Sequence, residues 1–392
     1  MKKLRILAAI LCLALCFTLL AGCGGKKEET KSIKLGWLGP LTGDVAQYGI
    51  AVQNGVKLYV DQLNAAGGIN GKKIELVSYD EEGKADKAVT GYNSLMDSGV
   101  VGIIGDVTTG PCTAVVAEAF KDNTPMITAS ATAISITFDK ETNTVYKNMF
   151  RSCFIDPFQG ETMARFAKEV LGAKTAAVLY DNGDTYSTGV YEYFVSKCAE
   201  LGVELVAAES YASGAVDFSG QLTNIAAKNP DVLFLPIYYN DVALVAAQAA
   251  DAGIDAAMLG VDGWSSVLTA VTDPALIEGA YYCSGYSTAD TGTLVQKFLS
   301  DYSAAYGGNT PNMFDAQGYD AAWIICDAIA KAELSGKAYG SAEYKQAIID
   351  AMAATDSDYV TGHVSYDAHN DPQKTAVIIN ITGGAETFWG NY

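Results

Sequence analysis

The chain has 392 residues, of which 45 are Asp or Glu and 26 are Lys or Arg, so its formal net charge is −19. A surface this acidic disfavours nucleic acids and anionic lipid headgroups as partners, because both bind to basic patches. The length is sufficient for two domains, each with its own hydrophobic core.

The first 22 residues have the pattern of a secretory signal peptide. Basic residues at positions 2, 3 and 5 precede an apolar run over residues 6–21. That run is shorter than the roughly 20 residues of a membrane span and fits the apolar segment of a signal. Leu20-Ala21-Gly22-Cys23 resembles the bacterial lipobox, whose cysteine is lipidated and becomes the first mature residue. An uncleaved signal anchor is the alternative, which the small residues before Cys23 disfavour.

Residues 23–32 are polar and have no hydrophobic period, which predicts a lipidated tether. The protein is therefore expected on the extracytoplasmic face of the bacterial cell membrane, anchored through Cys23 without spanning the bilayer.

The next stretch predicts a β-α-β unit. Residues 33–38 form an apolar run that a Gly-Pro pair ends, as in a strand, and residues 45–63 carry apolar side chains every three or four positions, as in a helix. Asp44 is placed to cap this helix, and residues 73–79 predict a second strand. The unit implies parallel strands with a right-handed crossover, and ligands of such sheets bind at the carboxyl ends of the strands.

Two threonine-rich loops follow the next strands. Residues 100–104 predict a buried strand that leads into Thr108 and Thr109, with Pro111 as the first residue of the following helix. Residues 125–128 predict the adjacent strand. The start of a helix offers free N–H groups that suit a carboxylate, so these loops predict one side of a binding cleft. The alternative for each hydroxyl is a simple helix cap.

From residue 151 a second β/α series begins, with strands predicted over residues 175–180, 204–208 and 232–236. Tyr186, Tyr238 and Asp262 each follow a strand in this half. Tyrosines are often core aromatics with a solvated hydroxyl, and Asp262 considered alone is a turn residue.

The chain then returns to the first half near residue 286 and crosses back near residue 376. Three crossings make a hinge that permits closure over a small ligand. The predicted fold class is α/β, with two Rossmann-like lobes joined by a three-segment hinge. Residues 33–150 and 286–375 form the first lobe, and residues 151–285 and 376–392 form the second.

The order LGPLTGDVAQYG, NAAGGINGKKIEL and YDEEG resembles the mature N-terminus of periplasmic-type substrate-binding proteins. The resemblance is closest to the leucine/isoleucine/valine-binding proteins of ABC importers, which have the type I periplasmic binding protein fold. It implies capture of a free amino acid between the lobes and its delivery to a membrane permease driven by ATPase subunits.

The resemblance also implies roles for particular residues. Thr109 and Thr132 would donate hydroxyls to the ligand carboxylate, while Asp262 and the Ser130 carbonyl would accept from its ammonium group. The full set of expected contacts is Tyr48, Val107, Thr108, Thr109, Ser130, Ala131, Thr132, Tyr186, Tyr238, Asp262 and Phe314, with Trp37 or Trp264 as further candidates.

The aromatic residues and the lack of Lys or Arg in this set favour an apolar ligand side chain, so leucine, isoleucine or valine is expected. The same fold with an amide, urea, a short peptide or an aromatic acid as ligand is an alternative, and so is a sensor module without transport. Phe314 is equally compatible with a role in core packing.

The cysteines and histidines disfavour a metal site and catalysis. The mature chain beyond Cys23 has an odd number of cysteines and no CxxC spacing, which disfavours zinc and leaves at least one unpaired unless another chain supplies a partner; they are Cys112, Cys153, Cys198, Cys283 and Cys326. The resembled proteins can carry a disulfide between the loops that hold Gly83 and Thr108 here, and this chain has no cysteine at either position. His363 and His369 lie outside any catalytic motif, so we expect a monomeric binding protein with no metal and no other cofactor.

Overall fold

A computed structural model of the chain describes residues 32–392. The predicted signal peptide, Cys23 and the tether up to residue 31 lie outside the described residues. Ser32, predicted as the end of the tether, is the first residue of a strand. Within residues 32–392, none of the helices has both the length and the apolar character that crossing a membrane requires.

The strands of the first half, in chain order, are β1 (Ser32–Gly39), β2 (Lys73–Asp80), β3 (Ile103–Ile104), β4 (Met126–Thr128), β5 (Phe138–Asp139), β6 (Thr144–Val145) and β7 (Met149–Arg151). Those that follow are β8 (Thr175–Asp181), β9 (Glu204–Tyr211), β10 (Val232–Phe234), β11 (Ala257–Gly260), β12 (Tyr281–Ser284), β13 (Asp356–Tyr359), β14 (Gly362–Ser365), β15 (Val377–Thr382) and β16 (Ala385–Asn391).

The α-helices of the described residues, in chain order, are α1 (Ala46–Ala65), α2 (Ala85–Asp97), α3 (Thr109–Lys121), α4 (Asp156–Glu169), α5 (Thr185–Leu201), α6 (Ser219–Ala226), α7 (Tyr239–Asp251), α8 (Thr293–Ala305), α9 (Met313–Leu334) and α10 (Ala342–Ala353).

The strands build two large sheets. The first is parallel throughout, in the order β2-β1-β3-β4-β7. The second has the order β16-β15-β12-β11-β10-β8-β9, in which β8 to β12 are parallel to one another, β15 is antiparallel to β12, and β16 is antiparallel to β15. Their central strands β3, β4 and β10 are buried along their whole length, as parallel strands covered by helices on both faces must be.

The chain passes between the two units three times: after β7, after β12 and before β15. This confirms the predicted α/β fold of two lobes with a three-segment connection. The sequence limits of the lobes at residues 150, 285 and 375 stay a prediction. Arg151, predicted as the first residue of the second lobe, pairs with Thr128 in the sheet of the first lobe.

Helix α9 returns to the first lobe and packs along α1. Two glycines allow this close approach: a Cβ atom at Gly55 would lie 1.9 Å from the Asp315 carbonyl oxygen, and one at Gly318 would lie 2.3 Å from that of Val52. The packing brings the Phe314 ring to 4.7 Å from that of Tyr48, measured between centroids. Two positions distant in sequence thereby enter the same cleft.

Two predicted helix starts are wrong. Helix α1 begins after Val45 without a side-chain cap, so Asp44 does not cap it; instead, the Asp44 carbonyl accepts a 2.7 Å hydrogen bond from Tyr239 in the second lobe. Helix α3 begins at Thr109, two residues before Pro111. Proline is compatible with any position in the first turn, where amides lack partners within the helix, so it did not define the first residue.

Candidate functional site

A narrow cavity lies between the two lobes, at the loops that follow the parallel strands of both sheets. Its free volume is about 10 Å³, room for about one water molecule, so the lining side chains nearly fill the space in this arrangement. The residues that line it are Tyr48, Val107, Thr108, Thr109, Ser130, Tyr186, Tyr238, Asp262, Gly263 and Phe314. Nine of these ten were expected from the sequence.

One end of the cavity is formed by the start of α3. Thr108 is the residue before the helix and Thr109 is its first residue, so unpaired amides of the first turn lie at this end together with two hydroxyls. The Ser130 hydroxyl donates a 2.6 Å hydrogen bond to the Val107 carbonyl, which ties the loop after β4 to the loop after β3. This end has the donors and the partial positive charge that suit an anionic group.

The second-lobe side of the cavity holds a buried acid. Asp262 follows β11, is 3% exposed, and accepts a 2.6 Å hydrogen bond from the Tyr186 hydroxyl at Oδ1. Burial raises the pKa of Asp262 to about 6, against hydrogen bonds from Tyr186 and Gln159 that favour the ionised form. It is the one acidic or basic side chain among the ten lining residues, so this end suits a cationic group.

Aromatic rings form the wall between these ends. The rings of Tyr186 and Tyr238 stack with centroids 4.9 Å apart, and the Tyr48 ring meets that of Tyr238 edge-on at 5.6 Å. Phe314 completes this wall beside Tyr48. Rings packed against one another in this way present an apolar surface.

Tyr48 also joins the lobes directly. Its hydroxyl donates to the Gly263 carbonyl and accepts from the Tyr239 amide, both in the second lobe. Burial raises the pKa of the Tyr48 hydroxyl well above its usual value, so the hydroxyl remains a donor at neutral pH. The contact therefore holds the cavity in a closed arrangement.

Four other candidates do not line this cavity. The Ala131 carbonyl faces away and accepts a 2.9 Å hydrogen bond from Arg151, and Thr132 is fully buried with no partner for Oγ1 among the described residues. Trp37 is buried in the first lobe, and Trp264 donates its indole N–H to the Leu235 carbonyl. Both tryptophans are core residues in this arrangement.

Two residues of the site were missed by the sequence reasoning. The Gly263 carbonyl accepts a hydrogen bond from the Tyr48 hydroxyl, and the Gly263 amide donates one to the Tyr186 hydroxyl. The Gln159 side-chain oxygen accepts a 3.0 Å hydrogen bond from the Asp262 amide. The position of Gly263 directly after Asp262 was a usable signal. Gln159 lies about a hundred positions earlier on α4, and nothing in its local sequence marks it.

The described residues contain no cluster of three His, Cys, Asp or Glu side chains that could hold a metal ion. All five cysteines of the described chain are buried and unpaired. A wider cavity of about 360 Å³, open to solvent, lies between residues 133–146 and α5 and is lined in part by Asp156. Its lining also includes Lys140 and further acidic side chains, at positions 139, 141 and 192.

The chain matches the family described as periplasmic binding protein over residues 32–385. A leucine-, isoleucine-, valine-, threonine- and alanine-binding protein of Pseudomonas aeruginosa is 29% identical over 356 residues, which cover 90% of each chain. A Leu/Ile/Val-binding protein of Rhizobium johnstonii is 32% identical over 67% of this chain and 68% of the relative. These relatives are binding proteins, which confirms the prediction that the chain is not an enzyme.

Solved structures show the same fold. A branched-chain amino acid transporter substrate-binding protein of Streptococcus pneumoniae, solved with isoleucine, has a TM-score of 0.81 and 32% identity and covers 91% of this chain and 98% of its own. A leucine-binding protein of Thermotoga maritima has a TM-score of 0.82 and 28% identity over 92% of this chain and 98% of its own.

Proposed function

Since the chain belongs to the periplasmic binding protein family, we propose that it is the extracytoplasmic component of an ABC importer that captures a free amino acid between its lobes. The observation that carries this proposal is the pairing of two kinds of group in one small cavity: Thr108 and Thr109, at the start of α3, line it from the first lobe, and the buried Asp262 lines it from the second. An α-amino acid is a zwitterion, with one charge for each end.

In the proposed complex, Thr109 and the first amides of α3 bind the ligand carboxylate. The Thr132 hydroxyl, which is buried without a partner just outside the closed cavity, joins them when the lobes open to admit the ligand. Asp262 and the Ser130 carbonyl accept from the ammonium group. Tyr48, Val107, Thr108, Ala131, Tyr186, Tyr238 and Phe314 surround the rest of the ligand.

A branched-chain side chain is the best match for the aromatic wall, because the lining residues include no Lys or Arg that a polar or acidic side chain would pair with. Leucine, isoleucine and valine are also named as ligands of the relatives from Pseudomonas and Rhizobium. Capture would close the lobes through the Tyr48 contact, and the closed form would deliver its ligand to the permease and its ATPase subunits.

Anchoring completes this proposal. Cleavage before Cys23 and lipidation of its thiol would hold the monomeric protein at the outer face of the membrane, next to the permease. Replacing Cys23 by serine would release the protein from the membrane fraction if this is correct, and retention of the Cys23→Ser protein in that fraction would argue against it.

Calorimetric titration of the chain lacking residues 1–23 against the twenty amino acids tests the ligand. We expect leucine, isoleucine or valine to bind most tightly. Urea, simple amides and benzoate in the same series test the alternative ligands, and tight binding of one of these without any amino acid would refute the proposal. A sensor role predicts that ligand uptake by cells is unchanged when the gene is deleted.

A further inference from the structure

Two carboxyl groups are buried together behind the proposed carboxylate-binding loop. Glu81 follows β2 and Asp106 follows β3, and both side chains are fully buried. The two carboxyl groups lie beside each other. Glu81 Oε1 and Asp106 Oδ2 are buried without a hydrogen-bond partner among the described residues, as expected if each oxygen faces the other carboxyl group.

The second oxygen of each carboxyl holds a loop in place. Glu81 Oε2 accepts a 2.7 Å hydrogen bond from the Lys84 amide, and Asp106 Oδ1 accepts one of 2.5 Å from the Val107 amide. The Asp106 carbonyl accepts from the Thr128 hydroxyl, which in turn accepts from the Ala131 amide. Asp106 is thus connected to both loops that form the donor end of the cavity.

A hydrogen bond between two carboxyl groups requires a proton on one of them, because an ionised carboxylate has no donor. No ion pair within residues 32–392 involves Glu81 or Asp106 to supply a compensating charge. Two unpaired negative charges in the interior would be costly.

The neighbouring charged groups do not change this conclusion. Asp80, from β2, adds a further negative charge near Glu81, and the Cys112 thiol faces Asp106 from α3. Arg151, on β7, lowers the pKa of the Cys112 thiol through its positive charge. Its guanidinium, however, pairs with Asp371 and donates to main-chain carbonyls. Burial raises the pKa of Asp106 well above its usual range, and the charge of the neighbouring Glu81 raises it further. Burial also raises the pKa of Glu81, to about 7.

We propose that the Glu81–Asp106 pair is uncharged when residues 107–109 receive a ligand carboxylate, and that affinity falls when Glu81 loses its proton. The part of this inference that concerns affinity rests on the proposed function. Loss of the Glu81 proton places a negative charge directly behind the loop that receives the ligand's own negative charge, while Asp106 stays protonated and continues to hold the Val107 amide.

The pair is tested by titration calorimetry with leucine at about pH 6.5 and about pH 8.5, a window above the pKa of Asp262. We expect the wild-type protein to bind about threefold to tenfold more weakly at the higher pH, as one added charge at this depth would cause. Glu81→Gln keeps a donor for Asp106 but cannot lose a proton, so its affinity should be the same at both values.

Glu82→Gln is the matched control, because the neighbouring Glu82 pairs with Lys84 and Lys87 at the surface and faces no carboxyl group. It should show the wild-type decrease. An equal decrease in the Glu81→Gln protein would overturn the proposal. If Glu81→Gln does not fold, Asp106→Asn replaces it, since its amide can donate to Glu81.

Urea unfolding separates this inference from the proposed function. The proton that Glu81 keeps in the native state makes the wild-type protein lose stability as the pH rises from about 5 to about 8, because the unfolded chain releases that proton at lower pH. The Glu81→Gln protein should lose less over the same range. If no amino acid binds at any pH, the proposed function fails, and parallel stability profiles of the two proteins would then refute the proton on Glu81 as well.

Discussion

The Tyr186 hydroxyl donates a 2.6 Å hydrogen bond to Asp262 Oδ1 and accepts one of 3.0 Å from the Gly263 amide. This single hydroxyl orients the buried acid and the turn that carries it. Tyr186 is itself fixed by stacking on Tyr238. The carboxylate is therefore held in place before any ligand arrives, which lowers the entropic cost of binding a cation.

Removal of the acid is the first test of the site. Asp262→Asn should weaken amino-acid binding by about tenfold or more, roughly 1.4 kcal/mol, because a charge-assisted hydrogen bond to the ammonium is lost. Calorimetry measures the change. Asp251→Asn, at the exposed end of α7, is the control and should bind like the wild type. A loss of less than threefold for Asp262→Asn would show that the ammonium binds elsewhere.

The pKa of Asp262 predicts the acid side of the pH dependence. The ionised form binds the ammonium group, and its pKa is raised to about 6, so affinity should increase as the pH rises from 5 to 7. At pH 5 about one molecule in ten is ionised, which predicts roughly tenfold weaker binding than at pH 7. Titrations at several pH values check this, and the Asp262→Asn protein should not show the increase. A wild-type profile that is flat over this range would contradict the assignment.

The contact between lobes is tested at Tyr48. Tyr48→Phe keeps the ring in the aromatic wall and removes the hydroxyl that bonds to Gly263 and Tyr239, so the closed form loses about 1 kcal/mol and affinity falls about fivefold. Small-angle scattering with saturating ligand should show a more open average shape. Tyr59→Phe, on the same helix but packed against Tyr319 and Trp323, should leave affinity unchanged. Equal affinities of the two variants would exclude a role for the Tyr48 hydroxyl in closure.

Gly263 predicts a steric effect on the cavity. A Cβ atom there would lie 2.7 Å from the Tyr186 hydroxyl and 3.0 Å from the Ile237 carbonyl, so Gly263→Ala must displace Tyr186 from Asp262. We expect affinity to fall about tenfold or more while the circular dichroism spectrum stays unchanged. Gly220→Ala, on α6 with nothing near the added atom, is the control and should bind normally. Normal binding by Gly263→Ala would show that the turn can adjust.

Arg151 predicts a stability effect. Its buried guanidinium pairs with Asp371 at 2.7 Å and donates to the carbonyls of Ala131 and Ala133. Arg151→Ala leaves the Asp371 carboxylate buried without its partner, which should lower the free energy of unfolding by about 3–5 kcal/mol. Urea denaturation measures this loss. Arg165→Ala, a half-buried arginine without an ion pair, should cost less than 1 kcal/mol, about the value of a surface contact.

Much of the architecture could be read from the chain because it depends on local patterns. The apolar run of residues 33–38, the helical period of residues 45–63 and their repetition in the second half predicted parallel sheets in two lobes. The resemblance carried over from known families supplied the candidate residues, and nine of them lie together in one cavity. Helix starts were less predictable, because residues that cap helices are also common in loops. Asp44 lies in such a loop, and its main-chain carbonyl accepts a hydrogen bond from Tyr239 of the other lobe.

The sequence by itself determined the fold class, the acidic surface and the loops in which polar residues follow strands, because these depend on composition and on the spacing of neighbouring residues. Only the tertiary structure decided which residues distant in sequence meet: Gln159 and Asp262 within the second lobe, Glu81 and Asp106 within the first, and Tyr48 and Gly263 between the lobes. Each of these contacts joins segments from different strands or helices. Such contacts arise from sheet order and helix packing, and no local sequence pattern records them.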